Sequence, residues 1–270
     1  MLTEHTQQQI EGYGTLLGTQ LPGLTSALWS LAEDPSKLSR SQIALLRALG
    51  LKCFHFFTVF VAGYDRHGPP GSFHWRLCRA MEAVERPLFV MCYRGALKST
   101  TAKARMLWRA AQDPVSFDAM LLVDDANLGL QHLAEVGAQV EQNEVLHLLY
   151  PELKPKPKSW SDDSKSLSVR GLRKTGPTWE LRTLRQPVTG RHRTMILIDD
   201  PVNDSNWQNR NRQAELKVGL DTMWPTLNTD ELIWTGTRYV DYDYWGYLIA
   251  KLYPQDLDIF VQPVRGLAAV

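Results

Sequence analysis

The chain has 270 residues, 44% apolar and 22% charged, the make-up of a globular protein long enough to bury one large core or two small ones. Three cysteines, Cys53, Cys78 and Cys92, are too few and too irregularly spaced for a disulfide scaffold or a thiolate metal site, and they point to a reducing compartment. The net charge of +1 excludes a global field for polyanions, but it is uneven: residues 154–193 hold eleven Lys or Arg against three acids, so that stretch is +8 and the remainder −7.

Residues 1–40 predict one or two helices joined by a turn near Pro22, and no secretory pattern opens them. "SRSQIALLRALGLKCFHFF" has capping residues and helical apolar spacing, so a helix starts near 41. The apolar run "CFHFFTVFVAG" from Cys53 is too short to span a bilayer and carries His55; it reads as a buried helix end. "DRHGPPGS" (65–72) is a turn cluster, and "FHWRLCRAMEAVE" is a short amphipathic helix stopped at Arg86-Pro87. Strands and helices then alternate: "LFVMCY" (88–93), helix 98–112, "AMLLVDD" (119–125), a long helix 127–150, "TMILIDD" (194–200), helix "SNWQNRNRQAELKVGLDTMW", "ELIWTGT" (231–237), helix "DYDYWGYLIAKLY" and strand "DIFVQPV". Short apolar strands between helices predict an α/β fold with a buried, mainly parallel sheet covered on both faces. "KPKPKS" (154–159) reads as a stiff basic surface connector, and "SLSVRG" paired with "TWELRTL" reads as part of a β-rich insertion over about 154–193.

The stretch "YRGALKSTTAK" (93–103) places Lys98-Ser99 after a strand and at the start of a helix. In a Walker A loop, amide N–H groups and the helix N-terminus hold phosphate oxygens, the Lys reaches the terminal phosphates and the Ser hydroxyl ligates Mg²⁺. The usual glycines are replaced by Cys92 and Leu97, leaving Gly95 as the loop glycine. Hydrolysis also needs a carboxylate for Mg²⁺ and one for the attacking water. "MILIDDP" offers Asp199 and Asp200 at a strand end, and "MLLVDD" offers Asp124 and Asp125 in the same form. The first pair is favoured because Asp124 and Asp125 follow the loop so closely; the competing role for them is capping of the next helix.

Three stretches in order resemble the ATPase domain of the large terminase subunits of tailed bacteriophages. "FHWRLCRAMEAVERPLFVMCYRGALKST" is similar to that family's helix, strand and deviant Walker A loop, with Arg94 four residues before the Lys; "VTGRHRTMILIDDPVNDSN" resembles its Walker B block; "LIWTGTRYVDYDYWGYL" resembles its coupling motif. Leu97, in place of a small residue, and Asp200, where many members have Glu, depart from the pattern. The resemblance implies a P-loop NTPase fold of the ASCE, RecA-like kind, with an N-terminal helical lid or adaptor (1–72) and an ATPase core (73–270). It implies an ATPase that uses ATP and Mg²⁺ to drive double-stranded DNA into a procapsid, acting as a homo-oligomeric ring, a pentamer in expectation, with the portal protein and the small terminase subunit in the host cytoplasm, and no membrane. The family's C-terminal nuclease domain, and so DNA cleavage, is not expected in residues 1–270. Two other classes stay open: a helicase-like nucleic-acid-dependent ATPase, and a non-catalytic DNA-binding or assembly module with a degenerate nucleotide site.

The expected nucleotide contacts are Arg94, Gly95, Ala96, Leu97, Lys98, Ser99, Thr100 and Thr237, with Thr101 beside them. Lys98 neutralises phosphate, Ser99 and Asp199 serve Mg²⁺, and Asp200 polarises water. Arg94 is either a γ-phosphate sensor or a surface ion-pair partner. Thr235, Gly236 and Thr237 would relay the phosphate state; Arg238 contacts either phosphate or DNA, and His192 reaches the nucleotide site or DNA or is a buried, hydrogen-bonded histidine. Tyr64, Phe73 and Trp75 are either adenine platforms or core. An arginine supplied to a neighbouring subunit, and the DNA-backbone contact, are both expected within Arg170–Arg193.

Overall fold

A computed structural model describes residues 3–64, 66–170, 176–184, 193–203, 206–223, 231–237 and 243–262. In chain order its elements are α1 (Glu4–Leu17), α2 (Leu24–Glu33), α3 (Arg40–Lys52), α4 (Phe54–Phe56) continuing as a π-helical turn (Phe57–Val61), α5 (Phe73–Glu82), β1 (Leu88–Cys92), α6 (Lys98–Gln112), β2 (Ala119–Val123), α7 (Ala126–Gln142), α8 (Glu144–Leu149), β3 (Pro155–Trp160), β4 (Ser164–Leu167), β5 (Trp179–Thr183), β6 (Met195–Asp199), α9 (Arg210–Met223), β7 (Glu231–Gly236), α10 (Tyr244–Leu252) and β8 (Asp258–Gln262). Local chemistry sets the helix starts. Side-chain oxygens of Thr3, Ser39, Ser72, Asp125, Asn143 and Asp243 accept first-turn N–H groups, and Ser39 with Gln42 closes a capping box.

The strands form one mixed, mostly parallel sheet in the order β3-β4-β5-β2-β6-β7-β1-β8. Pairing is parallel from β5 to β8, and β3 and β4 add antiparallel at one edge. Every residue of β1, β2, β6 and β7 is buried, so their side chains alternate between two cores. Leu88, Val90, Leu121, Leu197 and Ile233 face a core shared with Tyr13 of α1, Leu28 of α2, Leu46 of α3, Leu107 of α6 and Val136 of α7. Phe89, Met120, Ile196, Ile198 and Trp234 face the other, closed by Leu216 of α9 and by Trp245 and Leu248 of α10. The N-terminal helices and the sheet therefore share one continuous core. No single described helix is long and apolar enough to cross a membrane.

Three expectations of local structure are corrected. The helix expected over 127–150 breaks at Asn143, whose amide donates to Val61 O at 2.7 Å while its carbonyl oxygen accepts from Leu146 N at 2.8 Å, ending α7 and starting α8. "KPKPKS" is no connector; it lies almost wholly in edge strand β3. Prolines are tolerated there because an edge strand needs only one side's hydrogen bonds. The pairing expected of "SLSVRG" with "TWELRTL" is displaced: β5 pairs through Glu180 and Trp179 with Ser164 and Lys165 of β4, which precede "SLSVRG".

The topology makes a crevice. β1 and β2 follow one another in the chain but are separated in the sheet by β7 and β6. From β1 the chain enters α6 on the first face; from β7 it passes to α10 on the second. Where neighbouring strands send their helices to opposite faces, the carboxyl ends open into a cleft, the usual ligand position in such sheets.

Candidate functional site

The turn after β1 leads into α6 through two left-handed residues, Gly95 at φ +83° and Leu97 at φ +58°, ψ +23°. Position 97 thus has the conformation a glycine adopts freely, at a cost of roughly 1–2 kcal/mol for a side chain with a Cβ. Leu97 offers no capping oxygen, and no side chain caps α6, in contrast to the six helices above. The first-turn N–H groups of α6 stand at the carboxyl end of a buried strand, with a helix dipole behind them.

Lys98 is buried; its Nζ donates to Thr237 Oγ1 at 3.3 Å and lies 3.6 Å from Asp200 Oδ1. Thr237 in turn donates to Cys92 O at 3.2 Å. Ser99 Oγ donates to Asp199 Oδ1 at 2.8 Å, and Thr235 Oγ1 donates to the same oxygen. Sheet register dictates this, since Asp199 of β6 sits opposite Thr235 of β7. The structure thus brings together Lys98, Ser99, Asp199, Asp200 and Thr237 from three strand ends. Gly95 and Ala96 shape the turn, with Ala96 N donating to Tyr93 O at 3.3 Å. Thr100 follows in the half-buried first turn, and Arg94 is exposed but close enough to act on the charge of Asp200.

The two carboxylates are driven apart. Asp199 is fully buried, which alone would raise its pKa, yet contacts with His132, Thr235 and Ser99 hold it below the ordinary value. Burial, and then the charge of Asp199, push Asp200 up to about 6 against the opposing pull of Lys98 and Arg94. Asp200 also has φ +42°, and its N–H donates to Thr235 O at 2.9 Å. A non-glycine residue held there is strained backbone of the kind concentrated at functional sites. The pattern is one carboxylate held towards its ionised form beside one drawn towards its protonated form.

The donor set also fits Mg²⁺. Ser99 Oγ and Asp199 Oδ1 are 2.8 Å apart, close to the roughly 2.9 Å between adjacent oxygens of an octahedron with metal bonds near 2.0–2.1 Å. Among the described residues no group of three His, Cys, Asp or Glu is placed to hold a metal.

Other expected residues lie elsewhere. Asp125 caps α7, its Oδ1 accepting from Asn127 N at 2.9 Å, and Asp124 is held by Arg212 and by Asn206 Nδ2 at 3.0 Å. Thr101 is corrected: it is fully buried, its hydroxyl donating to Leu97 O at 2.8 Å and lying 2.7 Å from His67 Nε2. Trp75 packs edge-on against Tyr13 and His55, as core. Phe73 meets Tyr93 and Phe260, and Tyr64 stacks near His67. The ends of the basic stretch are internal rather than available to a neighbour. Arg170 donates to Phe117 O and Gly176 O, both at 2.6 Å, and pairs with Asp118 at 3.3 Å; Arg193 pairs with Glu180 and Asp118. Arg173, Lys174, His192 and Arg238 lie outside the described residues. Sequence reasoning missed His132, whose Nε2 is 3.0 Å from Asp199 Oδ2. A lone histidine in the helical run "NLGLQHLAEVGAQV" carries no signal of this.

No family model matches the chain, and no curated protein matches it. Among solved structures, it is similar to the large terminase ATPase domain of Thermus phage P74-26, at 14% identity and a TM-score of 0.43, over 76% of this chain and 83% of that one.

Proposed function

We propose that this chain is an ATP-hydrolysing motor domain of the phage large-terminase type, which binds ATP with Mg²⁺ at the carboxyl ends of β1, β6 and β7. One observation carries the chemistry. Lys98 and Ser99 from the β1–α6 turn meet Asp199 and Asp200 about a hundred residues later, with the two carboxylates shifted in opposite directions. The packaging role rests on the ordered resemblance of the three sequence stretches. It carries with it double-stranded DNA, a portal protein, a small terminase subunit and a ring of copies as partners, inside the host cell.

In this reading the α6 N-terminus and Lys98 hold the β- and γ-phosphates. Ser99 and Asp199 hold Mg²⁺, which when bound neutralises charge on the phosphate oxygens. Asp200 orients the attacking water and accepts its proton as the γ-phosphoryl group leaves ADP. An acceptor with a pKa of about 6 is ionised near neutral pH while remaining basic enough for the task. The Lys98–Asp200 contact of 3.6 Å then opens as Lys98 turns to phosphate.

Equilibrium MgATP binding to wild type beside Lys98→Ala tests this. Binding by wild type that the substitution removes is expected; no binding by folded wild type overturns the reading.

A further inference from the structure

We propose that His132 is a positioning residue for Asp199, its imidazole held in one tautomer by the buried Lys103. The inference rests on Asp199 being the metal carboxylate of the reading above. Ser99 and Lys103 are four residues apart on one face of α6; His132 and Glu135 are three apart on the facing side of α7. Lys103 has a side-chain exposure of 5%, its Nζ lying 3.0 Å from His132 Nδ1 and pairing with Glu135. An ammonium has three donors and no acceptor, so Nδ1 must accept. In the neutral ring the proton then sits on Nε2, the nitrogen 3.0 Å from Asp199 Oδ2. That N–H is out of line for a formed hydrogen bond, and among the described residues Asp199 Oδ2 has no hydrogen-bond partner. The contact is an electrostatic one that keeps Oδ2 turned to α7, leaving Oδ1 with Ser99 and Thr235.

Cost favours a role beyond joining two helices. Burying a lysine and a histidine is expensive, and apolar side chains of the same size would pack α6 on α7 at least as well. Partners that orient a metal-binding carboxylate are worth roughly 10- to 100-fold in metal affinity.

The test measures ATP affinity with and without Mg²⁺ for wild type, Lys103→Met, His132→Leu and His132→Gln, with near-ultraviolet circular dichroism to check folding. Lys103→Met leaves the ring and its packing in place, so a folding defect at His132 does not remove the test. The expected result is a roughly 10- to 100-fold loss of the gain that Mg²⁺ gives in Lys103→Met and His132→Leu. Metal-free affinity is unchanged, and His132→Gln, which keeps an N–H towards Oδ2, recovers most of the gain. An unaltered Mg²⁺ gain, or an equal loss with and without Mg²⁺, overturns the positioning role while leaving the nucleotide site standing. Absence of Mg²⁺-dependent binding in wild type overturns both.

Discussion

At Asp199 and Asp200 two neighbouring carboxylates meet different surroundings, and the difference predicts different losses. Asp200→Asn should bind MgATP with near wild-type affinity and lose turnover by at least 10²-fold, the low end for removing a general base; single-turnover assays read both. Asp124→Asn should keep turnover. It weakens the pairing with Arg212 and should lower stability by about 1–3 kcal/mol, seen in urea unfolding. Equal loss of turnover from Asp124→Asn would place the chemistry at the end of β2 instead of β6. The favoured acid pair was legible because an apolar strand ending in two acids is a local pattern. His132 and Lys103 were not, because what matters is which faces of α6 and α7 meet. Leu97 was legible only as a departure. Its left-handed φ shows that the position keeps the backbone shape of a glycine loop without the glycine.

Among the elements, β7 sits between β1 and β6 and touches both halves of the site, through Thr235 to Asp199 and Thr237 to Lys98. Between those threonines lies Gly236, where a Cβ would stand 2.2 Å from Cζ2 of the buried Trp245 of α10. Gly236→Ala should therefore push α10 away and cost about 1–3 kcal/mol; an unchanged urea midpoint would show that the Trp245 ring yields freely. The strand and helix alternation was legible from apolar runs alone, because buried parallel strands carry no other pattern. The break at Asn143 was not, since its cause is a hydrogen bond to Val61, distant in sequence. Nor was β3, whose prolines argue against a strand unless its edge position is known.

Across the whole molecule, buried histidines couple the N-terminal helices to α6. Burial lowers His55 to about 4 and, with its histidine neighbours, His67 to about 3. Both stay neutral in the folded state at pH values where the unfolded chain is protonated, near 6.5 and below. Their contribution is complete above pH 6.5 and is lost as pH falls towards 4. Asp200, raised to about 6, acts the other way and offsets about one of them. The net loss between pH 7 and about 4.5 is on the order of 3 kcal/mol. Urea unfolding at the two pH values checks it, and equal or greater stability at the acid value would contradict the buried neutral rings. The shared core that produces this coupling could not be read from sequence, because a turn cluster at 65–72 looks the same whether it divides two cores or crosses one. The opposite end of the sheet has a different consequence. Strand β3 leaves Lys156, between Pro155 and Pro157, and Lys158 exposed, and its two prolines lack an N–H, so this edge disfavours pairing with a second copy. The lysines and prolines that disfavour fibre growth from this edge thus take no part in the site.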